Sequence, residues 1–288
     1  MNQAADAQSR RLRARLSAAP VLSDPDGAAA RLAEVAPAWP AGFLDAPLRA
    51  LLLGLADHSP FLWQLVARAP ERLAALVEAE PEAALAALVA RQRDAGRGPD
   101  LDAVARALRQ NRAEHALLVA LADLGGLWPL ATVTQALSDF ADASVRAAAD
   151  AMLLQAASAG RFLPRDPSAP QAGSGLIVLA LGKHGAGELN YSSDIDLVVF
   201  YEAGSAAAAT GGDPKPFFVK LAQGLVKLLA DRTADGYVHR IDYRLRPDPG
   251  STAVALSTGF AFDYYQTLGQ NWERAAFIKA RPIAGDIP

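Results

Sequence analysis

Apolar positions in the first 160 residues recur at helical spacing. Leu44, Leu48, Leu51, Leu52 and Leu55 form one set, and Leu62 with Leu65, then Leu73, Leu76, Leu85 and Leu88, continue it. A longer periodic stretch runs from Leu101 through Leu121, with Val104, Leu108, Leu117 and Leu118 as core positions. Gly125 and Gly126 punctuate its end, as glycines at helix C-termini do. Another helix is predicted over about 131–157. Prolines at 20, 25, 37, 40, 47, 60, 70 and 81 fall mostly between these segments, where they cost little. The pattern changes at Gly160. Pro164, Pro167, Pro170, Gly173 and Ser174 mark 161–174 as a linker. The continuous apolar run Leu176–Leu181 predicts a buried strand, and Ile195–Tyr201 a second. A helix over about 216–230 puts Phe218, Leu221, Leu225, Leu228 and Leu229 on one side. A third strand over about 237–245, a helix over about 260–269 and an extended or mixed tail complete the chain. The expected class is α+β: a flexible N-terminus (1–27), a helical region (28–160), the linker (161–174), and a mixed sheet with flanking helices (175–288).

Composition narrows the function classes. A length of 288 residues allows one large domain or two ordinary ones. The formal net charge of −3 carries no global footprint for nucleic acid or an anionic membrane. No run reaches the roughly 18–20 apolar residues that span a bilayer. The absence of cysteine excludes a disulfide scaffold, a thiolate zinc site and a cysteine nucleophile. The 51% hydrophobic content is inflated by 64 alanines, which bury little area each. Arg10, Arg11, Arg13 and Arg15 give the start a transit-peptide flavour, but a frayed amphipathic helix start is the preferred reading. With no long apolar signal core, a cytoplasmic location is expected.

The chemistry concentrates between Gly182 and Leu197. Side chains alternate along a strand, so Asp194 and Asp196 point the same way, while Ile195, Leu197 and Val199 point to the opposite, apolar side. Two adjacent carboxylates repel, so a cation should sit between them; hard oxygen ligands this close suit Mg²⁺. The preceding loop carries Gly182, Gly185 and Gly187, whose backbone N–H groups can approach phosphate oxygens unobstructed. It is neither a Walker A loop nor a dinucleotide fingerprint, because the glycine spacing differs and His184 follows Lys183. Lys183 is the first of only five lysines against 23 arginines, a hint that a compact point charge is wanted there; a solvated loop charge is the competing reading. Further on, alternation places Arg240, Asp242, Arg244 and Arg246 on one face. Two readings stand for it: a third metal carboxylate with arginines aimed at phosphates, or a solvent-facing strand with local salt bridges worth ~0–1 kcal/mol each. Ser192 and Ser193 offer hydroxyls to phosphate or to a metal-bound water, or serve turn chemistry. His184 reads as a tolerated loop residue, His58, His115 and His239 as structural, and Glu188 as a brace of the loop or a partner for arginine. Phe260, Phe262, Tyr264, Tyr265 and Trp272 read as helix packing, and Ala206–Ala209 as a flexible connector.

A glycine loop after a strand, Asp-x-Asp on the next strand and a lone Asp on a later one resemble the polymerase-β-like nucleotidyltransferases. Leu181–Leu197 (LGKHGAGELNYSSDIDL) is more specific, and resembles the signature of the bifunctional glutamine synthetase adenylyltransferases. Arg232–Tyr237, Arg240–Pro247, Tyr264-Tyr265, Trp272–Arg274, Ile278–Pro282, Asp57–Leu62 and Ala122–Gly126 also fit that family, so the resemblance covers most of the chain after about residue 40. The segment Asp248–Ala253 departs from it, which puts the shape of that loop in question. The family duplicates its catalytic unit, and Glu188–Asp196 resembles the adenylyl-removing copy. The chain is thus expected to be an N-terminal piece of a longer enzyme, its catalytic core truncated at the C-terminal side.

The resemblance implies a reaction: phosphate attacks the AMP group on a tyrosine of glutamine synthetase, giving ADP and the unmodified enzyme. Asp194, Asp196 and Asp242 would be catalytic and would hold Mg²⁺, two ions in all. Gly182 and Lys183 would hold nucleotide phosphates, with Ser192, Ser193, Arg244 and Arg246 as further nucleotide or phosphate contacts, and ADP or ATP and phosphate as substrates or products. Glutamine synthetase would be the partner, with a PII-type signalling protein reaching regions outside this chain; no nucleic acid or membrane partner is expected. Two alternatives remain: an adenylyl- or uridylyltransferase using a nucleoside triphosphate, and a catalytically idle regulatory binding fragment.

Overall fold

The computed structural model describes residues 8–98, 100–205 and 212–287. The connector expected at Ala206–Ala209 and the first seven residues of the expected flexible N-terminus lie outside the described residues. The chain divides into two compact units, Met1–Leu88 with Asn111–Ala136, and Val89–Gln110 with Leu137–Pro288.

The first unit is helical. Helices α1 (Pro25–Val35), α2 (Ala46–His58), α3 (Pro60–Arg68), α4 (Pro70–Glu78) and α5 (Pro81–Asp94) follow one another, and α6 (Leu101–Leu124) and α7 (Leu130–Ser158) each contribute a part. The prolines are starts rather than spacers. Pro25, Pro60 and Pro70 open their helices and Pro47 lies in the first turn of α2, where an N–H would have no helical partner. Asp24, Asp45 and Ser59 cap the same ends by accepting from Gly27, Leu48 and Leu62. Leu48, Leu51, Leu52, Leu55, Leu73, Leu76, Leu117 and Leu118 are buried in the core. The segment before α1 is tied down as well. Leu12 is fully buried, and Arg13 pairs with Glu78 at 2.6 Å and Asp45 at 2.9 Å.

The second unit is a mixed sheet with helices. Strands β1 (Leu176–Leu181) and β2 (Ile195–Tyr201) form as expected and pair antiparallel. β3 (Ile241–Asp242) and β4 (Ala255–Ser257) both lie parallel to β2, beside successive stretches of it. β5 (Arg281–Gly285) pairs antiparallel with β1 and completes the path β3-β2-β1-β5. The expected third strand over 237–245 shrinks to two residues, because the chain turns after Asp242 and Arg246 ties the turn to its own carbonyls. The extended tail is β5. Helix α8 (Gly182–Gly185) is a single turn, followed by α9 (Lys215–Ala230), α10 (Thr258–Thr267) and α11 (Asn271–Ala276).

Strand alternation sorts β2 as its sequence suggests. Ile195, Leu197 and Val199 are buried on one face. On the other, Val198 and Phe200 join Leu181, Leu256 and Ala261 in an apolar cluster. All five apolar residues assigned to the inner side of α9 are buried, and Phe218 stacks on Tyr201 at 4.6 Å between ring centres. The aromatic group of the tail packs only in part. Tyr265 lies edge-on to Phe277, and the Tyr264 hydroxyl donates to buried Glu273 at 2.9 Å. Phe262 and Trp272 face solvent, because the short α10 and α11 turn them away from the sheet. Among the described residues no helix is long and apolar enough to cross a membrane.

Phe218→Ala removes a fully buried ring from this packing and is expected to cost about 3–5 kcal/mol. Urea denaturation followed by tryptophan fluorescence and circular dichroism checks it; a loss under about 1 kcal/mol would mean the α9–sheet interface collapses around the gap.

Candidate active site

The site forms where β1 ends, the glycine turn begins and β2 enters the sheet. β1 delivers the chain to Gly182, whose φ of +56° suits glycine. A Cβ there would stand 2.3 Å from Asp196 Oδ2, so glycine lets the backbone pass the carboxylate. Gly185 is equally constrained, since a Cβ would meet the carbonyl oxygen of Lys279 at 2.0 Å.

His184, expected to be a tolerated loop residue, is instead the buried anchor of the turn. Its Nε2 lies 2.8 Å from Asp142 Oδ1 on α7. Arg281 of β5 donates to both Asp142 oxygens, and also to the carbonyls of His184 and Gly185. Burial pushes the Asp142 carboxyl up, but the hydrogen bonds from His184 and Arg281 outweigh it and hold it below the usual range. Sequence gave no pointer to this trio, because its members lie at 142, 184 and 281 with no motif joining them.

The three aspartates come together. Asp196 and Asp242 are register partners on adjacent parallel strands, and Asp194 lies two residues before Asp196. Burial, then the charges of Asp242 and Asp194, push the Asp196 carboxyl above its ordinary value. The Arg244 guanidinium holds Asp242 below the usual carboxylate range, with Nε 2.9 Å and Nη2 2.5 Å from Oδ2. Asp194 pairs with Arg240, one of the arginines on the alternating face; Nη2 lies 2.8 Å and Nε 3.2 Å from Oδ1. Arg240 also donates to the Ser192 carbonyl.

The remaining expected residues divide. Lys183 is exposed beside the turn. The Ser193 hydroxyl donates to Asn190 Oδ1 at 2.8 Å, which is turn chemistry, while Ser192 stays exposed. Arg246 does not join the aspartates by any hydrogen bond. Its guanidinium donates to the carbonyls of Tyr243, Pro249, Thr252 and Ala253 and closes the 243–253 loop. Glu188 pairs with Lys279 at 3.0 Å rather than with an arginine.

Among the described residues no three His, Asp or Glu side chains stand as a ready metal cage. The donor set nevertheless fits a hard divalent cation. All three side chains are carboxylates, and the central one is half-buried with like charges beside it. A glycine turn between antiparallel strands, with acidic side chains on the second strand and on its parallel neighbour, defines a nucleotidyltransferase-like fold.

The chain belongs to the glutamate-ammonia ligase adenylyltransferase family, whose model matches residues 50–288. It is 54% identical over 279 residues to a protein of Xanthobacter autotrophicus named bifunctional glutamine synthetase adenylyltransferase/adenylyl-removing enzyme, covering 93% of this chain and 28% of that one. Proteins of the same name from Bradyrhizobium diazoefficiens and Rhodopseudomonas palustris CGA009 are 52% and 49% identical, over 88% and 98% of this chain and 26% and 30% of theirs. The chain thus spans under a third of the length of these relatives.

The carboxylate cluster has a thermodynamic signature. Asp196 has a folded pKa above its unfolded one, so its ionisation opposes folding at neutral pH, and that cost fades as pH falls through the folded value. Asp242 is depressed, so its contribution is present above its unfolded pKa and is lost as pH falls through the folded one. Asp196→Asn is therefore expected to raise the melting temperature in EDTA at pH 7.5. The gain should shrink toward pH 4. A lower melting temperature than wild type in calorimetry would show that the three charges do not strain the fold.

Proposed function

We propose that this chain removes AMP from an adenylylated tyrosine of glutamine synthetase by phosphorolysis. A phosphate oxygen forms a bond to the α-phosphorus, the bond from that phosphorus to the tyrosyl oxygen breaks, and ADP leaves. The tyrosyl oxygen keeps the electron pair and takes a proton from solvent. The observation that carries this reading is the meeting of Asp194, Asp196 and Asp242 beside the Gly182 turn, in a chain of this family.

Asp194, Asp196 and Asp242 would hold Mg²⁺. When bound, the cation supplies charge neutralisation to the phosphates and to the departing oxygen. Gly182 lets the backbone approach Asp196 closely, and the exposed Lys183 meets a nucleotide phosphate as a point charge. Arg244 is the better candidate for the attacking phosphate, because its guanidinium is exposed at Asp242 while Arg246 is fastened to backbone carbonyls. The phenol leaves with a pKa of about 10, so positioning and charge neutralisation carry more of the rate than proton transfer does. The His184–Asp142–Arg281 trio supports the turn from below and touches no reacting atom.

The wording of Glu188–Asp196 supports the removing direction over addition from ATP. The relatives' printed name covers both directions, so the experiment must separate them. The chain is incubated with adenylylated glutamine synthetase, Mg²⁺ and phosphate. ADP release is expected, and Asp194→Asn with Asp196→Asn is expected to lower it by about 10³-fold or more, the scale lost with a central electrostatic group. Full activity in the double variant would refute the assignment. AMP incorporation from ATP with pyrophosphate release, and no phosphate-dependent ADP, would favour the adding reaction. Binding of glutamine synthetase with neither product would favour a regulatory module.

A further inference from the structure

Two of the three site carboxylates are covered by guanidinium groups, and the third is not. Arg240 donates twice to Asp194 Oδ1, and Arg244 grips both oxygens of Asp242. Asp196, between them and half-buried, has no ion pair among the described residues. We propose that Arg240 and Arg244 are exchangeable counter-ions: they neutralise Asp194 and Asp242 in the absence of a divalent cation, and cation entry releases both guanidinium groups to the phosphates that enter the same cleft. This rests on the metal-site reading of the three aspartates and adds a regulation of that site.

The exchange follows from where the two arginines lie. Their side chains are 46% and 83% exposed, so each leaves its carboxylate into water without unpacking a core. Arg246 and Arg281 contrast with them: one is stapled to four carbonyls, the other is bound to buried Asp142. A guanidinium fork matches carboxylate and phosphate alike, so one side chain can serve both partners in turn. A second cation competing for the same carboxylate lowers metal affinity, and its release to an anion raises anion affinity. By linkage the two ligands then favour each other's binding. An empty site would keep one uncompensated carboxylate, and a phosphate-bearing ligand would be held tightly only when the metal is present.

The test is Mn²⁺ binding by isothermal titration calorimetry on the 288-residue chain, with and without ADP, for wild type, Arg240→Gln, Arg244→Gln, the double variant and Asp196→Asn. Each arginine variant is expected to bind Mn²⁺ alone about 2- to 5-fold more tightly, the worth of one exposed ion pair. Each should bind ADP more weakly at saturating Mn²⁺, and the double variant should lose the increase in Mn²⁺ affinity that ADP gives wild type. Arginine variants that bind Mn²⁺ alone no tighter than wild type, while Asp196→Asn has lost Mn²⁺ binding, overturn the exchange and leave the metal site standing. A wild-type chain that binds no Mn²⁺, or an Asp196→Asn chain that binds it equally well, overturns the metal site and the exchange with it.

Discussion

Asp196 faces Asp242 across a parallel strand pair, and Asp194 lies just before the first of those strands. Like charges directly opposite one another in a sheet are destabilising. The backbone imposes the juxtaposition, because β2 is already fixed on its other side by six register pairs with β1. Gly182 lets the backbone of the preceding turn pass close to Asp196 Oδ2, and Arg240 and Arg244 pair with the flanking carboxylates.

The turn that makes room for the cluster is held by residues far away in the chain. Asp142 on α7 receives His184 from the turn and Arg281 from β5. One buried carboxylate therefore joins a helix, the loop and the outer strand. The second half of α7 is a wall of the sheet unit: Arg146 donates to the Ile283 carbonyl at 2.6 Å, and Ser144 lies 3.3 Å from His239 Nε2. Long helices are usually held by apolar packing. Here Phe140, Val145 and Leu153 are fully buried between small alanines, and polar fasteners add to that packing in setting the helix against the strands.

What was legible in sequence follows the physics of each element. β1, β2 and α9 were readable because burial on one or both faces forces an unmistakable apolar pattern. Alternation along 194–196 suggested a co-facial pair of aspartates, yet the strand begins only at Ile195 and leaves Asp194 just outside it. The alternation over 237–245 suggested a long strand, yet only Ile241 and Asp242 pair. Alternation reports faces, not partners, and the turn anchored by Arg246 ends the pairing early. The roles of Arg240 and His184 were not readable, since each is decided by a partner 46 or 42 residues away. Phe262 and Trp272 misled because an aromatic in a helix reads as core unless the helix length and its docking face are known.

A sheet selected for stability alone would place an apolar or oppositely charged pair at the β2–β3 contact. The chain instead sets two carboxylates there, adds a third nearby, and brings the backbone of the adjoining turn against Asp196 through a glycine. The two arginines pair with the flanking carboxylates and leave half-buried Asp196 without an ion pair among the described residues. An electrostatic cost located at a half-buried carboxylate is one that a divalent ion would relieve. The same cost in a fully exposed cluster would be screened by solvent and salt, and in a fully buried one it would simply protonate the group.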